Sequence, residues 1–242
     1  GALESQFLPA AGAGGKVVAE GVAGQTLSLP AAVDLAFGRE AVVGQETAEQ
    51  AVRLDPGMAV AYNNRGVTYG IKGDTERAIA DFDQAVKLDP QDARAFHNRG
   101  FAFRNKGEFD RAIADFDAAI KLDPSYAIAL YNRGNVFFVK KDYDRAIADY
   151  NQSIKLNPNF AAAYNSRGLA YDDKRDADRA IADFNQAIKL NPNDALVYNN
   201  RGFAYRNKGE TDRAIADFSD AIKINPGYTV ALYSRANAYY EK

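Results

Sequence analysis

The sequence has no cysteine, no tryptophan, one methionine and one histidine, His97, in 242 residues. Disulfides, thiolate metal sites and cysteine nucleophiles are therefore excluded, and a single imidazole with no second histidine or cysteine beside it points to a groove or surface position rather than to catalysis or a metal. An excess of one charge is also missing. Thirty Lys plus Arg against thirty-two Asp plus Glu leave a formal net charge of −2, with no block of like charge; neither nucleic acid nor an anionic lipid surface is an expected partner. No apolar run approaches the roughly 20 residues that span a bilayer, so no membrane insertion is expected.

Motifs for bound groups are equally scarce. Residues 10–17 have the look of a phosphate-binding loop, but Ala10 stands where its first glycine would be and Val17 where its hydroxyl would be. Asp172, Asp173, Asp176 and Asp178 cluster without the glycine and terminal glutamate of a calcium loop, and read as a solvated acidic turn. No cofactor is expected, and no catalytic residue. Alanine and glycine supply 12 of the first 27 residues, so residues 1–29 read as a flexible Gly/Ala-rich segment. The chain starts at Gly1 rather than at methionine, which leaves room for an upstream piece lost by processing; the compartment stays open between cytoplasm and periplasm.

What is present in abundance is repetition. Arg53-Leu54-Asp55-Pro56 recurs as Lys87 to Pro90, Lys121 to Pro124, Lys155 to Pro158, Lys189 to Pro192 and Lys223 to Pro226, successive prolines being 34 residues apart. Between them lie two amphipathic segments, such as Ala93 to Asn105 and Glu108 to Leu122, broken near Lys106-Gly107. Proline stops the second helix because the residue before it is pushed out of the helical region and no amide is left to continue the ladder. Each unit is thus a helix, a turn and a helix, written below as an A helix and a B helix. Five complete units are expected, at 59–92, 93–126, 127–160, 161–194 and 195–228. They would be preceded by a degenerate half-repeat or cap at 30–58, with a shortened helix at Pro30 to Phe37, and followed by a sixth A helix or cap at 229–242. Ordering one 34-residue unit costs on the order of 1.5 kcal/mol per residue, roughly 50 in all, which a lone hairpin cannot offset. Stacking supplies the missing burial and predicts a one-dimensional solenoid.

The second unit carries Phe96, Gly100, Phe103, Ala112, Phe116, Ala119 and Pro124, and the first Tyr62, Gly66, Tyr69, Ala78, Phe82, Ala85 and Pro90. This pattern resembles that of the tetratricopeptide repeat family, in phase five times over. The resemblance implies an all-α, right-handed α-solenoid (superhelix) whose A helices line the concave face, in a multi-repeat protein of bacterial type. One departure is uniform: where the family usually has Leu before the glycine, this chain has Arg65, Arg99, Arg133, Arg167, Arg201 and Arg235. Sixteen residues after each of the first five comes an acid, Asp81, Asp115, Asp149, Asp183 and Asp217, so a lattice of structural ion pairs is expected.

A second column holds Asn64, Asn98, Asn132, Ser166, Asn200 and Ser234. By resemblance it faces the groove, similar to the asparagine ladder with which protein O-linked N-acetylglucosamine transferases grip peptide backbones; the alternative is that these groups only cap or solvate the wall. The remaining groove candidates vary. Units two and five pair His97, Phe101, Arg104 and Asn105 with Asn199, Phe203, Arg206 and Asn207, and units three and six pair Tyr131, Asn135 and Phe138 with Tyr233, Asn237 and Tyr240, a hint of a 102-residue super-repeat; with Arg94 as a further groove candidate, this wall suits a mixed, mildly anionic or aromatic peptide. The chaperone-tail clamp of some family members is not matched, because its lysine positions hold Asn63 and Ile128 and its arginine position Asn132. The expected function is a scaffold holding a peptide or partner protein in the groove, without enzymatic activity. Two alternatives stay open: a self-assembling module, forming homo-oligomers through the N-terminal segment or the terminal helix, and the regulatory arm of a larger enzyme.

Overall fold

The computed structural model describes residues 46–242, and the expectations for residues 1–29 and Pro30 to Phe37 lie outside the described residues. All regular structure among the described residues is helical. Residues 46–54 form α1, followed by α2 (Ala59–Ile71), α3 (Thr75–Leu88), α4 (Ala93–Lys106), α5 (Phe109–Leu122), α6 (Ala127–Val139), α7 (Tyr143–Leu156), α8 (Ala161–Asp173), α9 (Ala177–Leu190), α10 (Ala195–Asn207), α11 (Thr211–Ile224) and α12 (Thr229–Tyr240). Two compact units divide the chain after Val136. The first holds the hairpins α2/α3 and α4/α5, and the second the hairpins α8/α9 and α10/α11 with α12 packed on α11. This is an all-α repeat solenoid fold.

Local chemistry sets each boundary. The turn from A to B helix needs one residue in the left-handed region, which glycine fills at Gly73, Gly107 and Gly209 with φ near 80°. Lys141 and Arg175 occupy the same position with φ of 60° and 64°, a conformation side-chain-bearing residues adopt at a cost. Asp74, Asp142 and Asp176 then cap the B helices by accepting from the amides of Arg77, Arg145 and Arg179. Where glutamate replaces the capping aspartate, Glu108 and Glu210 hold Arg111 and Arg213 instead, at 2.6 and 2.7 Å. At the other end of each B helix the aspartate or asparagine before proline folds its side chain over the break: Asp89 accepts from the Gln91 amide, Asp123 from Ser125 and Asn225 from Gly227.

Within a hairpin, alanine and phenylalanine of the B helix pack onto glycine of the A helix. Phe82, Phe116, Phe184 and Phe218 are fully buried. A Cβ added to Gly66, Gly168 or Gly202 would lie 2.6 to 2.7 Å from the facing ring, which is why the A helix carries glycine there.

Candidate functional site

The uniform arginine column is built into the wall of each hairpin. Nε and Nη2 of Arg65 donate to the two carboxylate oxygens of Asp81, both at 2.7 Å, and the same fork joins Arg99 to Asp115, Arg167 to Asp183 and Arg201 to Asp217 at 2.6 to 2.8 Å. The third nitrogen reaches back to the preceding B helix. Arg99 Nη1 donates to Asp83, Arg133 to Asp117, Arg167 to the Asn151 side-chain oxygen, Arg201 to that of Asn185 and Arg235 to the Ser219 hydroxyl, each sixteen residues earlier. One arginine thus closes its own hairpin and straps it to the one before. Its guanidinium lies between the aromatics three residues before and four after, as in Arg65 between Tyr62 and Tyr69 and Arg201 between Tyr198 and Tyr205. Burial raises the Asp115 and Asp217 carboxyls above the usual carboxylate value while the paired arginine draws them the other way, and hydrogen bonding by Asp115 strengthens the hold of Arg99 on its proton. Asp149 is buried.

The asparagine column takes part in a second lattice, between successive A helices. Asn98 Nδ2 donates to Asn63 Oδ1 at 3.0 Å, and Asn200 Nδ2 to Asn165 Oδ1 at 3.0 Å. Asn132 Nδ2 donates to His97 Nε2 at 2.9 Å, which leaves the proton on His97 Nδ1, 3.2 Å from Asn98 Oδ1. Arg104 Nη1 donates to Asn132 Oδ1 at 3.1 Å. The chain Arg104, Asn132, His97, Asn98, Asn63 therefore runs in one donor direction across α6, α4 and α2, an arrangement in which each bond polarises the next. His97 is buried against the rings of Phe116 and Tyr126, and burial, aided by Arg104 and partly opposed by Asn98, lowers its pKa to about 4. Neutral imidazole serves here as an internal connector.

Two lattices of this kind, recurring with a 34-residue period, are features of a repeat protein, and the sequence comparison agrees. A tetratricopeptide repeat model matches residues 97–163, 140–195 and 165–229, and a second tetratricopeptide repeat model matches residues 59–92. The chain belongs to the tetratricopeptide repeat family. No curated protein matches it. Among solved structures it is similar to YrrB, described as a tetratricopeptide repeat protein with an unusual peptide-binding site, at 23% identity and a TM-score of 0.65, over 79% of this chain and 99% of that one. It is also similar to MamA from Desulfovibrio magneticus RS-1 (25% identity, TM-score 0.65, 70% and 96% covered) and to a tetratricopeptide repeat protein from Parabacteroides merdae (20%, TM-score 0.69, 86% and 83%).

Against the tetratricopeptide frame, the groove candidates divide by exposure. Asn98, Asn132, Asn200 and Ser234 are buried between A helices, Ser166 is half-buried and Asn64 is exposed. Phe101 is buried beneath Arg104, whose guanidinium sits 4.2 Å from the ring centre, and Arg206 lies 5.1 Å from the half-buried Phe203. Arg94 and Tyr233 are exposed, while Tyr131, Asn135 and Asn237 are half-buried. Sequence reasoning passed over Asn165, met Asn63 only as a mismatch to the chaperone-tail clamp and Asn199 only as the counterpart of His97, and so missed that these residues, one position before the asparagine column, form a column of their own; it also passed over the acceptors sixteen residues before each arginine. The first could have been found as a second polar column at the same period. The second could have been found by reading the spacing backwards as well as forwards.

The acidic turn has a structural use. Asp176 caps α9, Asp172 is buried and receives both contacts of the Asn207 amide at 3.1 and 3.2 Å, and Asp178 pairs with Lys208 at 2.7 Å. Burial raises the Asp172 carboxyl above its ordinary value. Among the described residues no helix is long and apolar enough to cross a membrane.

Proposed function

We propose that this tetratricopeptide repeat chain is a non-enzymatic protein-interaction scaffold that holds an extended polypeptide segment along its A helices. The observation carrying this reading is the division of side chains by column. The residues that recur in nearly every unit are engaged inside the wall: the arginine straps bond their aspartates, and Asn98, Asn132 and Asn200 donate to Asn63, His97 and Asn165 of the preceding A helix. The positions that change from unit to unit, Arg94, Tyr131, Asn135, Arg206, Tyr233 and Asn237, retain solvent access. Variable, accessible aromatic and amide groups beside a rigid lattice are suited to choosing a partner's side chains at low entropic cost. The buried asparagines contribute rigidity, and Asn64, Asn135 and Asn237 supply amides for a bound backbone.

The test is binding of a displayed library of twelve-residue peptides to the full chain, followed by substitution. Arg94→Glu, Asn135→Ala and Tyr233→Ala each weaken the selected peptides by roughly 5–30-fold, with helical content unchanged. Gln152→Ala and Lys189→Ala, exposed on B helices, leave binding unaltered. Selection of no peptide, or equal losses from the A-helix and B-helix variants, would refute the reading.

A further inference from the structure

The same joint occurs twice, 102 residues apart. His97, Phe101 and Arg104 on α4 and Asn132 on α6 correspond to Asn199, Phe203 and Arg206 on α10 and Ser234 on α12. In the first copy the Asn132 carboxamide serves two partners at once, its oxygen accepting from Arg104 at 3.1 Å and its nitrogen donating to His97 at 2.9 Å. The second copy keeps the frame and loses this connector, because a serine hydroxyl is too short to reach both groups. Two consequences are visible. Asn199 is wholly buried, and neither its side-chain oxygen nor its nitrogen has a hydrogen-bond partner. The guanidinium of Arg206 stacks on Phe203 but makes no hydrogen bond or ion pair with any described residue. Arg167, Arg179, Arg201 and Arg213 of the same unit are each bonded to an acid.

We infer that Arg206 is the docking point for an acidic side chain, glutamate or aspartate, of the segment held along α8, α10 and α12. The inference rests on the groove reading above and adds the chemistry of one subsite. Arg104 shows what the position requires, an oxygen acceptor, and supplies it from within the chain. Arg206 has none, so an oxygen from outside takes its place. A guanidinium binds a carboxylate more strongly than a neutral amide because the hydrogen bonds are charge-assisted and two can form in parallel. Phe203 holds the guanidinium plane before the ligand arrives, which reduces the side-chain entropy lost on binding. Asp172, the acid at the same register on α8, is held by Asn207 and does not neutralise Arg206. Tyr233, 70% exposed on α12, offers a ring for the ligand's aliphatic stem.

Three twelve-residue peptides with one Gly/Ser/Tyr frame, and glutamate, glutamine or lysine at the centre, test this by fluorescence anisotropy with the full chain. The glutamate peptide is expected to bind roughly tenfold more tightly than the lysine peptide, with glutamine between them. Ser234→Asn restores the internal carboxamide, so it abolishes the preference for glutamate while raising the urea midpoint through Asn199. Arg206→Gln abolishes the preference without altering the Asn199 joint, and serves if the serine variant folds poorly. Equal affinity for the three peptides, or a glutamate preference that survives Arg206→Gln, overturns the assignment and leaves the groove reading standing. Failure of all three to bind at any concentration up to millimolar, together with failure of the displayed library, removes both.

Discussion

His97 is the only histidine of the chain, which makes its titration separable from every other group. Its pKa is lowered from 6.5 to about 4 in the folded protein, mainly by burial. Protonation would place a donor at Nε2 against the Asn132 amide nitrogen, and Arg104 prevents that amide from turning round. The sign follows from linkage: a histidine whose folded pKa lies below its unfolded value binds its proton more readily in the unfolded chain. Its contribution is therefore complete above pH 6.5 and is lost as pH falls from 6.5 towards 4. Between pH 7 and pH 5 the loss amounts to about 2 kcal/mol, and it reaches about 3 kcal/mol at pH 4. Carboxylates titrate in the same range, so the quantity to measure is the difference between wild type and His97→Asn, which places in that rung the residue found at Asn63 and Asn165. Urea denaturation at pH 7 and pH 5 should show wild type losing about 2 kcal/mol more than the variant. The imidazole Cε1–H resonance should titrate with a midpoint near 4. A midpoint near 6.5, or a difference between the two proteins that does not change with pH, would refute the one-way chain of hydrogen bonds.

Other substitutions probe the frame. Gly66→Ala drives a methyl group to 2.7 Å from the Phe82 ring and should cost about 1–3 kcal/mol in urea denaturation, with partial recovery when combined with Phe82→Leu. Lys141→Gly and Arg175→Gly relieve left-handed backbone at the turns and should each stabilise by about 0.5–1 kcal/mol, whereas Gly107→Ala should destabilise by a similar amount. Arg99→Ala leaves Asp115 buried without its partner and should lower stability by about 3 kcal/mol at neutral pH; the loss should shrink in acid, where Asp115 can protonate. The double substitution Arg99→Met with Asp115→Leu should recover most of that loss.

The parts of this molecule that were legible in the sequence are those governed by backbone chemistry at short range. Proline after Leu-Asp and glycine after the A helix act within a few residues, so the period, the helix pairs and the turn near Lys106-Gly107 could be read directly. The spacing of sixteen between Arg65 and Asp81 was also legible because it recurs. The partner sixteen residues behind was not, since that position is filled in turn by Asp83, Asp117, Asn151, Asn185 and Ser219, which share only an acceptor oxygen. The asparagine column illustrates a different limit. A small polar group on an A helix is required equally by a facing ligand and by a facing neighbour helix, and composition does not separate the two. Only the geometry distinguishes Asn98, committed to Asn63 and His97, from Asn64, which stands exposed.

That distinction bears on how such a scaffold acquires a preference for one partner. When every unit carries the same bonding groups, the donors and acceptors of one hairpin satisfy those of the next, and the wall is chemically closed. A ligand is then recognised where the repetition lapses. Replacing one asparagine by Ser234 releases a guanidinium at Arg206 without disturbing the fold around it, because the fold is held by Arg201, Asp217 and Phe218 in other columns. The cost of the lapse is carried by Asn199, a buried amide left unpaired, and an unpaired amide typically costs about 1–3 kcal/mol. A site of this kind is less stable than its neighbours by construction. Ser234→Asn should therefore move stability and acidic-peptide binding in opposite directions, a coupling that a purely structural serine would not produce.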